Sequence, residues 1–144
     1  MQVSKLMTRD VRIVSPDVTI QHAAKIMADL DAGVVPVGEE DRLVGMLTDR
    51  DIAVRGIAEG KGPNAKVRGV MSPEVKYCFD DQDLDEVIDN MGEIRVRRLP
   101  VINRSKRLVG ILSLGDVAFE TDGNGIGKAL HGISQPGGQH SQTG

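Results

Sequence analysis

Aromatic residues and cysteine are almost absent from this chain of 144 residues. The chain has two phenylalanines, one tyrosine and no tryptophan, so its core must consist of aliphatic side chains. Cys78 is the only cysteine, which excludes an intrachain disulfide and favours a reducing compartment, so we expect a cytoplasmic protein. Because Cys78 lies in an apolar run, we interpret it as a core residue rather than a reactive thiol.

The sequence also lacks a basic excess and a long hydrophobic run. The formal net charge is −3 at pH 7, whereas a domain that binds nucleic acid usually carries clustered basic charge and aromatic stacking residues. No stretch approaches the roughly 18 apolar residues of a membrane span, and the start MQVSKLMTRD lacks the apolar segment of a signal peptide. We therefore expect neither nucleic acid nor a membrane as a partner.

What the chain does contain is an internal repeat. The segment VGMLTDRDI (Val44–Ile52) returns as VGILSLGDV (Val109–Val117). The matching segments upstream keep the same order in both halves: Met7–Thr8 with Met71–Ser72, Ile20–Met27 with Leu84–Met91, and Val35–Val37 with Leu99–Val101. Such an ordered series indicates a duplicated unit. We divide the chain into a first unit (1–60), a second unit (61–120) and a glycine-rich tail (121–144) that we expect to be mobile.

Each copy carries the pattern of a strand, a helix, two strands and a second helix. In the first copy, apolar residues recur at helical spacing over Ile20–Met27, and Thr19 precedes them as an N-cap. In the second copy, Asp83 with Glu86 three residues later is typical of a capping box. Since a single unit of about 50 residues buries little apolar surface, we expect two β-α-β-β-α units that pack pseudo-symmetrically through their sheets. The predicted fold class is α/β.

The repeated segment keeps a hydroxyl and a carboxylate three residues apart, as Thr48 with Asp51 and as Ser113 with Asp116. At a strand-to-helix junction this spacing places both side chains on one face of the first helical turn. A carboxylate can accept two hydrogen bonds at once, which matches the vicinal diol of a ribose, and a helix N-terminus favours a phosphate. The same residues are also ordinary helix caps. Both interpretations remain open, and the duplication adds weight to the ribose role.

The order of these segments resembles the CBS domain, the module named after cystathionine β-synthase. The first copy contains GVVPV and RLVGMLTDRDI, and the second contains RRLPVI and RLVGILSLGDV. Residues 1–120 thus resemble a tandem CBS pair, or stand-alone Bateman module. The resemblance implies a regulatory protein, not an enzyme, that senses an adenosine-containing nucleotide in clefts between the copies. The candidates are AMP, ADP, ATP, NAD and S-adenosylmethionine, with no other cofactor required. It also implies a homodimer that forms through helices and a protein partner not yet identified.

The resemblance also assigns roles to single residues. It implies that Asp51 and Asp116 hold ribose hydroxyls, with Thr48 and Ser113 beside them. Positions that match adenine contacts of the family, partly through backbone groups, are Thr8, Ile13, Gly33, Val34, Pro36, Ser72, Tyr77 and Pro100. The second copy departs from the family by having Arg97 and Arg98 where the first has Gly33 and Val34, and we interpret the two arginines as a phosphate clamp. Arg50 and Arg55 are further phosphate candidates.

Three alternatives accompany this hypothesis. A scaffold with vestigial nucleotide sites is the main rival, since arginines replace small residues in the second copy. An enzyme lacks support because no paired base and nucleophile emerges. The acidic cluster at 80–86 is interpreted as helix capping rather than a metal site, so no metal is predicted. The basic turn after the Leu99–Ile102 strand, which includes Arg104, is interpreted as solvated.

Overall fold

The computed structural model describes residues 1–73, 75–120 and 124–134. These residues form two compact units, which we call the first-repeat unit (Arg12–Val75) and the second-repeat unit (Met1–Val11 with the chain from Lys76 onward). The sequence predicts a division near residue 60, and the structure divides the chain differently. Each repeat gives its leading segment to the unit of the other repeat, because backbone pairing holds the segment there. The N–H of Val3, for example, donates to the carbonyl of Gln82 at 3.0 Å.

The first-repeat unit is built on a two-stranded ladder. Its elements are helix α1 (Ile20–Leu30), strand β1 (Val34–Glu39), strand β2 (Arg42–Thr48) and helix α2 (Asp49–Asp51), which continues as a π-helical turn (Ile52–Gly56) and a 3-10 turn (Ile57–Glu59). Strands β1 and β2 are antiparallel, with Val34 opposite Thr48 and Pro36 opposite Met46. The predicted first strand is reduced to one bridge, between Val14 and Val37. The apolar face of α1 packs on this ladder, so the core is aliphatic as predicted.

The second-repeat unit has the same order of elements. They are β3 (Cys78–Phe79), α3 (Leu84–Ile94), β4 (Arg98–Ile102), β5 (Leu108–Ser113), α4 (Leu114–Glu120) and α5 (Asn124–Ile133). Strand β3 is parallel to β4, and β4 is antiparallel to β5, with Arg98 opposite Ser113 and Pro100 opposite Ile111. The predicted α/β class and the repeated strand–helix–strand–strand–helix order are therefore confirmed. None of the described helices is long and apolar enough to span a membrane.

The chain after α4 differs from the expected mobile tail. Residues 124–133 form helix α5, which lies against α3 and buries Ile126 and Ala129. Glycines make this contact possible, because a Cβ on Gly92 would lie 2.9 Å from the Cα of Ala129, and one on Gly132 would lie 2.6 Å from the carbonyl of Gly92. The glycines that weaken helix propensity here therefore permit close helix packing. Residues 121–123 and 135–144 lie outside the described residues.

The structure contains one of the two predicted helix caps and lacks the other. The hydroxyl of Thr19 accepts a hydrogen bond from the N–H of His22 at 3.1 Å, which confirms the N-cap of α1. The predicted capping box of Asp83 is wrong, because its side chain makes no capping hydrogen bond. The backbone of the N-terminal segment takes over this role, since the carbonyl of Met1 accepts from the N–H of Leu84 at 2.8 Å.

Candidate functional site

The hydroxyl and carboxylate of the first repeat lie on one face of the chain, as their spacing predicts. The Thr48 hydroxyl accepts from the N–H of Asp51 at 3.0 Å, and the N–H of Thr48 donates to Oδ2 of Asp51 at 3.0 Å. This reciprocal pair is a capping box, and both residues are half-buried. Oδ1 of Asp51 makes no hydrogen bond to the described residues, so one carboxylate oxygen remains available to a ligand.

The second repeat holds its carboxylate differently. The Ser113 hydroxyl accepts from the N–H of Asp116 at 3.1 Å, as in the first repeat. Oδ2 of Asp116, however, accepts from the hydroxyl of Thr8 at 3.2 Å, across 108 positions of sequence. Thr8 is held there by two backbone hydrogen bonds with Ile111, of 2.8 and 2.9 Å. The structure therefore brings together three of the predicted site residues, from both ends of the chain.

Ser72 occupies the equivalent position in the first-repeat unit. It exchanges backbone hydrogen bonds of 2.9 and 3.1 Å with Met46, as Thr8 does with Ile111. Glycine is required opposite both segments, because a Cβ on Gly45 would lie 2.9 Å from the carbonyl of Ser72, and one on Gly110 would lie 2.8 Å from that of Thr8. Glycine within a strand is typical of a close approach by another backbone, but the sequence alone does not indicate which segment approaches Gly45 and Gly110. The signal in the sequence was that both members of each contact are repeated, the glycine as Gly45 and Gly110 and the hydroxyl residue as Ser72 and Thr8.

The residues that precede β1 and β4 complete the two candidate sites. The N–H of Asp49 donates to the carbonyl of Gly33 at 2.9 Å, and that of Leu114 donates to the carbonyl of Arg97 at 3.0 Å. We call Gly33, Val34 and Thr48–Asp51 the first aspartate site. We call Arg97, Arg98 and Ser113–Asp116 the second aspartate site. The strand register sets Val34 beside Thr48 and Arg98 beside Ser113, so each site lies at one end of its ladder.

The predicted phosphate residues are exposed. Arg97 and Arg98 lie at the second aspartate site, and within the described chain neither side chain makes a hydrogen bond or ion pair. Arg50 lies inside the first aspartate site, next to Asp51, and Arg55 follows in the π-helical turn. Four arginine side chains are therefore exposed to solvent, and two of them belong to the second aspartate site.

The remaining predicted adenine positions lie further from the aspartates. Pro36 and Pro100 are buried in the middle of β1 and β4. Ile13 lies on the edge of β1 opposite to β2, where its Cγ2 would be 2.8 Å from a Cβ on Gly38. Tyr77 is 43% exposed and directly precedes β3, the strand on the far edge of β4. Of these four residues, Ile13 and Tyr77 are the ones whose side chains a ligand can reach.

Tyr77 belongs to a small aromatic cluster that the sequence did not predict. Its ring meets the ring of Phe79 edge-on, with centroids 5.6 Å apart, and the guanidinium of Arg104 lies 4.0 Å from the centroid of Phe79. Arg104 also donates to both carboxylate oxygens of Asp81, at 2.8 and 2.9 Å, and this hydrogen bonding lowers the pKa of Asp81. Arg104 is exposed, as predicted for this turn, and the sequence did not predict its ion pair with Asp81.

Metal and thiol chemistry find no support in the described residues. Within them, no group of three or more histidine, cysteine or acidic side chains is arranged to hold a metal ion. Cys78 is buried, and burial raises the pKa of its thiol to about 12. A thiol with so high a pKa is protonated at neutral pH and unreactive. The interpretation of Cys78 as a core residue is confirmed.

Comparison with known proteins agrees with this arrangement. The CBS domain model matches residues 3–55 and 67–122, once in each repeat. The CBS domain-containing protein YhcV of Bacillus subtilis (strain 168) is 41% identical over 133 residues, which cover 92% of this chain and 94% of YhcV. The chain in a crystal structure of Hypoxic Response Protein I with two coordinated zinc ions is 36% identical in sequence to this chain. The two structures match with a TM-score of 0.75 over 84% of this chain and 99% of that one.

A further solved structure is informative about ligands. The CBS domain pair of MJ0100, in complex with 5'-methylthioadenosine and S-adenosyl-L-methionine, is 25% identical, with a TM-score of 0.74, over 83% of this chain and 94% of that one. The family match and the order of elements both follow the sequence repeat. This chain belongs to the CBS domain family and carries two CBS domains in tandem.

Proposed function

We propose that this protein is a regulatory module that binds an adenosine-containing compound and passes the signal to a protein partner. Asp51 and Asp116 hold the ribose hydroxyls in this proposal, with Thr48 and Ser113 beside them. The adenine-contacting positions named above line the base, partly through backbone groups. Arg97 and Arg98 contact phosphate, with Arg50 and Arg55 as further phosphate candidates. The candidate compounds are AMP, ADP, ATP, NAD and S-adenosylmethionine.

One observation carries the proposal: a hydroxyl and a carboxylate stand in equivalent places in both units. In each unit the hydroxyl accepts from the backbone N–H of the aspartate, at 3.0 Å in the first and 3.1 Å in the second. This bond orients the aspartate and leaves carboxylate oxygen free to accept from a ligand. Hydrogen bonds to charged groups contribute about 1.5–3 kcal/mol each, so a ribose diol on such a carboxylate is a substantial anchor.

The chemistry of a relative supports the adenosine class. Both compounds in the MJ0100 complex, 5'-methylthioadenosine and S-adenosyl-L-methionine, contain adenosine. They differ from a nucleotide in carrying no phosphate, so the ribose and the base are what the whole class shares. The aspartate and the hydroxyl of each aspartate site match that shared part.

Regulation requires that binding favours one of two states. A ligand shifts an equilibrium only when it binds the two states with different affinity. In our proposal the protein is a homodimer that forms through helices. The two states of this dimer differ in the surface that the protein partner contacts. We place the protein in the cytoplasm, where adenosine compounds are abundant and a lone cysteine stays reduced. No catalytic step is part of this function.

A thermal-shift panel tests the proposal. The purified protein is melted with AMP, ADP, ATP, NAD and S-adenosylmethionine, and with GTP as the control for the base. A ligand at a hundredfold excess over its Kd adds about 2.7 kcal/mol to stability, which raises the Tm of a chain of this size by roughly 5–11 °C. We expect a rise with at least one adenosine compound and none with GTP.

The double variant Asp51→Ala/Asp116→Ala identifies the site. It should lose the Tm rise, because both ribose anchors are gone. The matched control is Asp29→Ala, which removes an exposed carboxylate from the last turn of α1 and should keep the full rise. A double variant that still responds like the parent would show that the aspartates do not hold the ribose.

A scaffold with vestigial nucleotide sites is the second candidate. The capping box favours it, because Oδ2 of Asp51 is already bonded to the N–H of Thr48 at 3.0 Å. On this hypothesis the aspartates only stabilise the chain, and signalling depends on protein contacts alone. The panel decides between the two, since a scaffold shows no Tm rise with any adenosine compound.

A further inference from the structure

The two aspartate sites have the same backbone but opposite charge. Residue 33 and residue 97 are equivalent, since each carbonyl accepts from the N–H of the residue after the site hydroxyl, at 2.9 Å in the first site and 3.0 Å in the second. At the first site those two residues are Gly33 and Asp49, and at the second they are Arg97 and Leu114. The first site thus has a glycine and a carboxylate where the second site has an arginine and an apolar side chain.

The carboxylate of Asp49 lies where a side chain of residue 33 would begin. A Cβ on Gly33 would be 2.9 Å from Oδ2 of Asp49. Oδ1 of Asp49 accepts from the backbone N–H of Arg50 at 2.8 Å, which keeps the carboxylate in this orientation. At the second site the same point is the start of the Arg97 side chain. The carboxylate of the first site therefore lies beside the point at which an arginine side chain leaves the backbone in the second.

The net charges of the two aspartate sites differ in sign because of these different side chains. Asp49, Arg50 and Asp51 give the first site one net negative charge. Arg97, Arg98 and Asp116 give the second site one net positive charge. A phosphate group carries about −1.5 to −2 charges at pH 7, so a carboxylate repels it and a guanidinium binds it through charge-assisted hydrogen bonds. A neutral nucleoside or a sulfonium compound meets no such repulsion at the first site.

We propose that the two aspartate sites select adenosine compounds of different charge, and that Asp49 is the residue that excludes phosphate from the first. The first aspartate site takes a neutral or cationic adenosine compound, so on this inference Arg50 and Arg55 do not serve as phosphate ligands. The second takes a phosphorylated one. This inference rests on the proposed function, and it adds a specificity role for Asp49, which holds neither ribose nor base.

Calorimetric titration with adenosine and with AMP tests the inference. Each site is measured alone, with Asp116→Ala silencing the second site and Asp51→Ala silencing the first. In the Asp116→Ala background, adenosine should bind more tightly than AMP. Adding Asp49→Asn keeps the size and the acceptor of the side chain but removes its charge. It should lower the ratio of the AMP Kd to the adenosine Kd by about three- to tenfold, as for one partly screened charge.

Glu40→Gln is the matched control for net charge. Glu40 is exposed in the turn between β1 and β2, at the opposite end of the ladder from Thr48. The change removes the same charge from the same unit and should leave the Kd ratio unchanged. Circular dichroism establishes that each variant is folded before it is titrated.

The second site supplies an independent measurement. In the Asp51→Ala background, Arg97→Gly should weaken AMP binding about three- to tenfold and leave adenosine binding unchanged. An unchanged Kd ratio in Asp49→Asn, or tighter binding of AMP than of adenosine at the first site, overturns the inference while the proposed function stands. A parent protein that binds no adenosine compound overturns both.

Discussion

The two CBS domains of this chain are alike in backbone and unlike in side chains at the same positions. Val34 pairs with Thr48 as Arg98 pairs with Ser113, and a leading segment flanks β2 as another flanks β5. The residues that repeat include those on which this pairing depends, namely small or apolar strand residues, glycines and the capping hydroxyl, together with the aspartate of each site. Charge is not constrained by the pairing, so the two copies are free to differ in what they bind.

The helices show the same contrast. Gly92 on α3 is covered by α5, whereas its equivalent on α1 is Ala28, which is exposed. The same turn of a duplicated helix therefore faces a neighbouring helix in one unit and solvent in the other. Glycine is needed at this position of α3, because a Cβ there would lie 2.9 Å from the Cα of Ala129 on α5.

The largest expected effect on stability comes from placing a larger side chain in the contact between α3 and α5. Gly92→Val should lower the free energy of unfolding by about 1–3 kcal/mol, because the new side chain overpacks against Ala129. It should also expose α5 to protease. Urea denaturation and limited proteolysis measure the two effects. Ala28→Val is the control and should change stability by less than about 0.5 kcal/mol at its exposed position. Equal losses in both variants would contradict the packing argument.

A smaller effect is expected at the capping hydroxyls. Thr48→Ala and Ser113→Ala should each lower the ligand-free unfolding free energy by about 1 kcal/mol, since each removes the acceptor for an aspartate N–H. Thr48→Ser retains the hydroxyl and should restore most of the loss at the first site. Chemical denaturation without nucleotide measures these values. A Thr48→Ala variant as stable as the parent would mean that the hydroxyl is kept for a ligand alone.

The smallest effect concerns the ion pair of an aspartate that has a different arginine partner in each unit. Asp81 pairs with Arg104, while its equivalent Asp17 pairs with Arg68, which also binds Glu39. The lowered pKa of Asp81 means that its contribution is present above about pH 3.9, the ordinary value, and is lost as pH falls through the lower folded value. The parent should exceed Arg104→Gln in urea midpoint at pH 7, and this difference should shrink as pH falls below about 3.9. A difference that does not change with pH would assign the effect to stacking on Phe79.

Local pattern predicted most of the fold and the hydrogen bond between hydroxyl and aspartate residue in each repeat, and it failed where distant segments meet. Helical spacing and the repeat were enough for α1, α3 and the strand pairs. The contact of Thr8 with Asp116 was out of reach, since it depends on a segment 108 positions away. The predicted capping box of α3 failed for the same reason, because the acceptor for the N–H of Leu84 is the backbone carbonyl of Met1, and the side chain of Asp83 makes no capping hydrogen bond. Helix α5 was underestimated because propensity penalises the glycines that its packing requires.

The exchange of leading segments has a consequence for synthesis of the chain. The first-repeat unit closes only when residues near Val67 and Ser72 have left the ribosome, since the N–H of Val67 donates to the carbonyl of Val18 and Ser72 pairs with Met46. The N-terminal segment emerges first but must wait for β5, its partner at Ile111. Such long sequence separations slow folding. A ribosome that stops at residue 60 therefore releases two incomplete units rather than one finished domain.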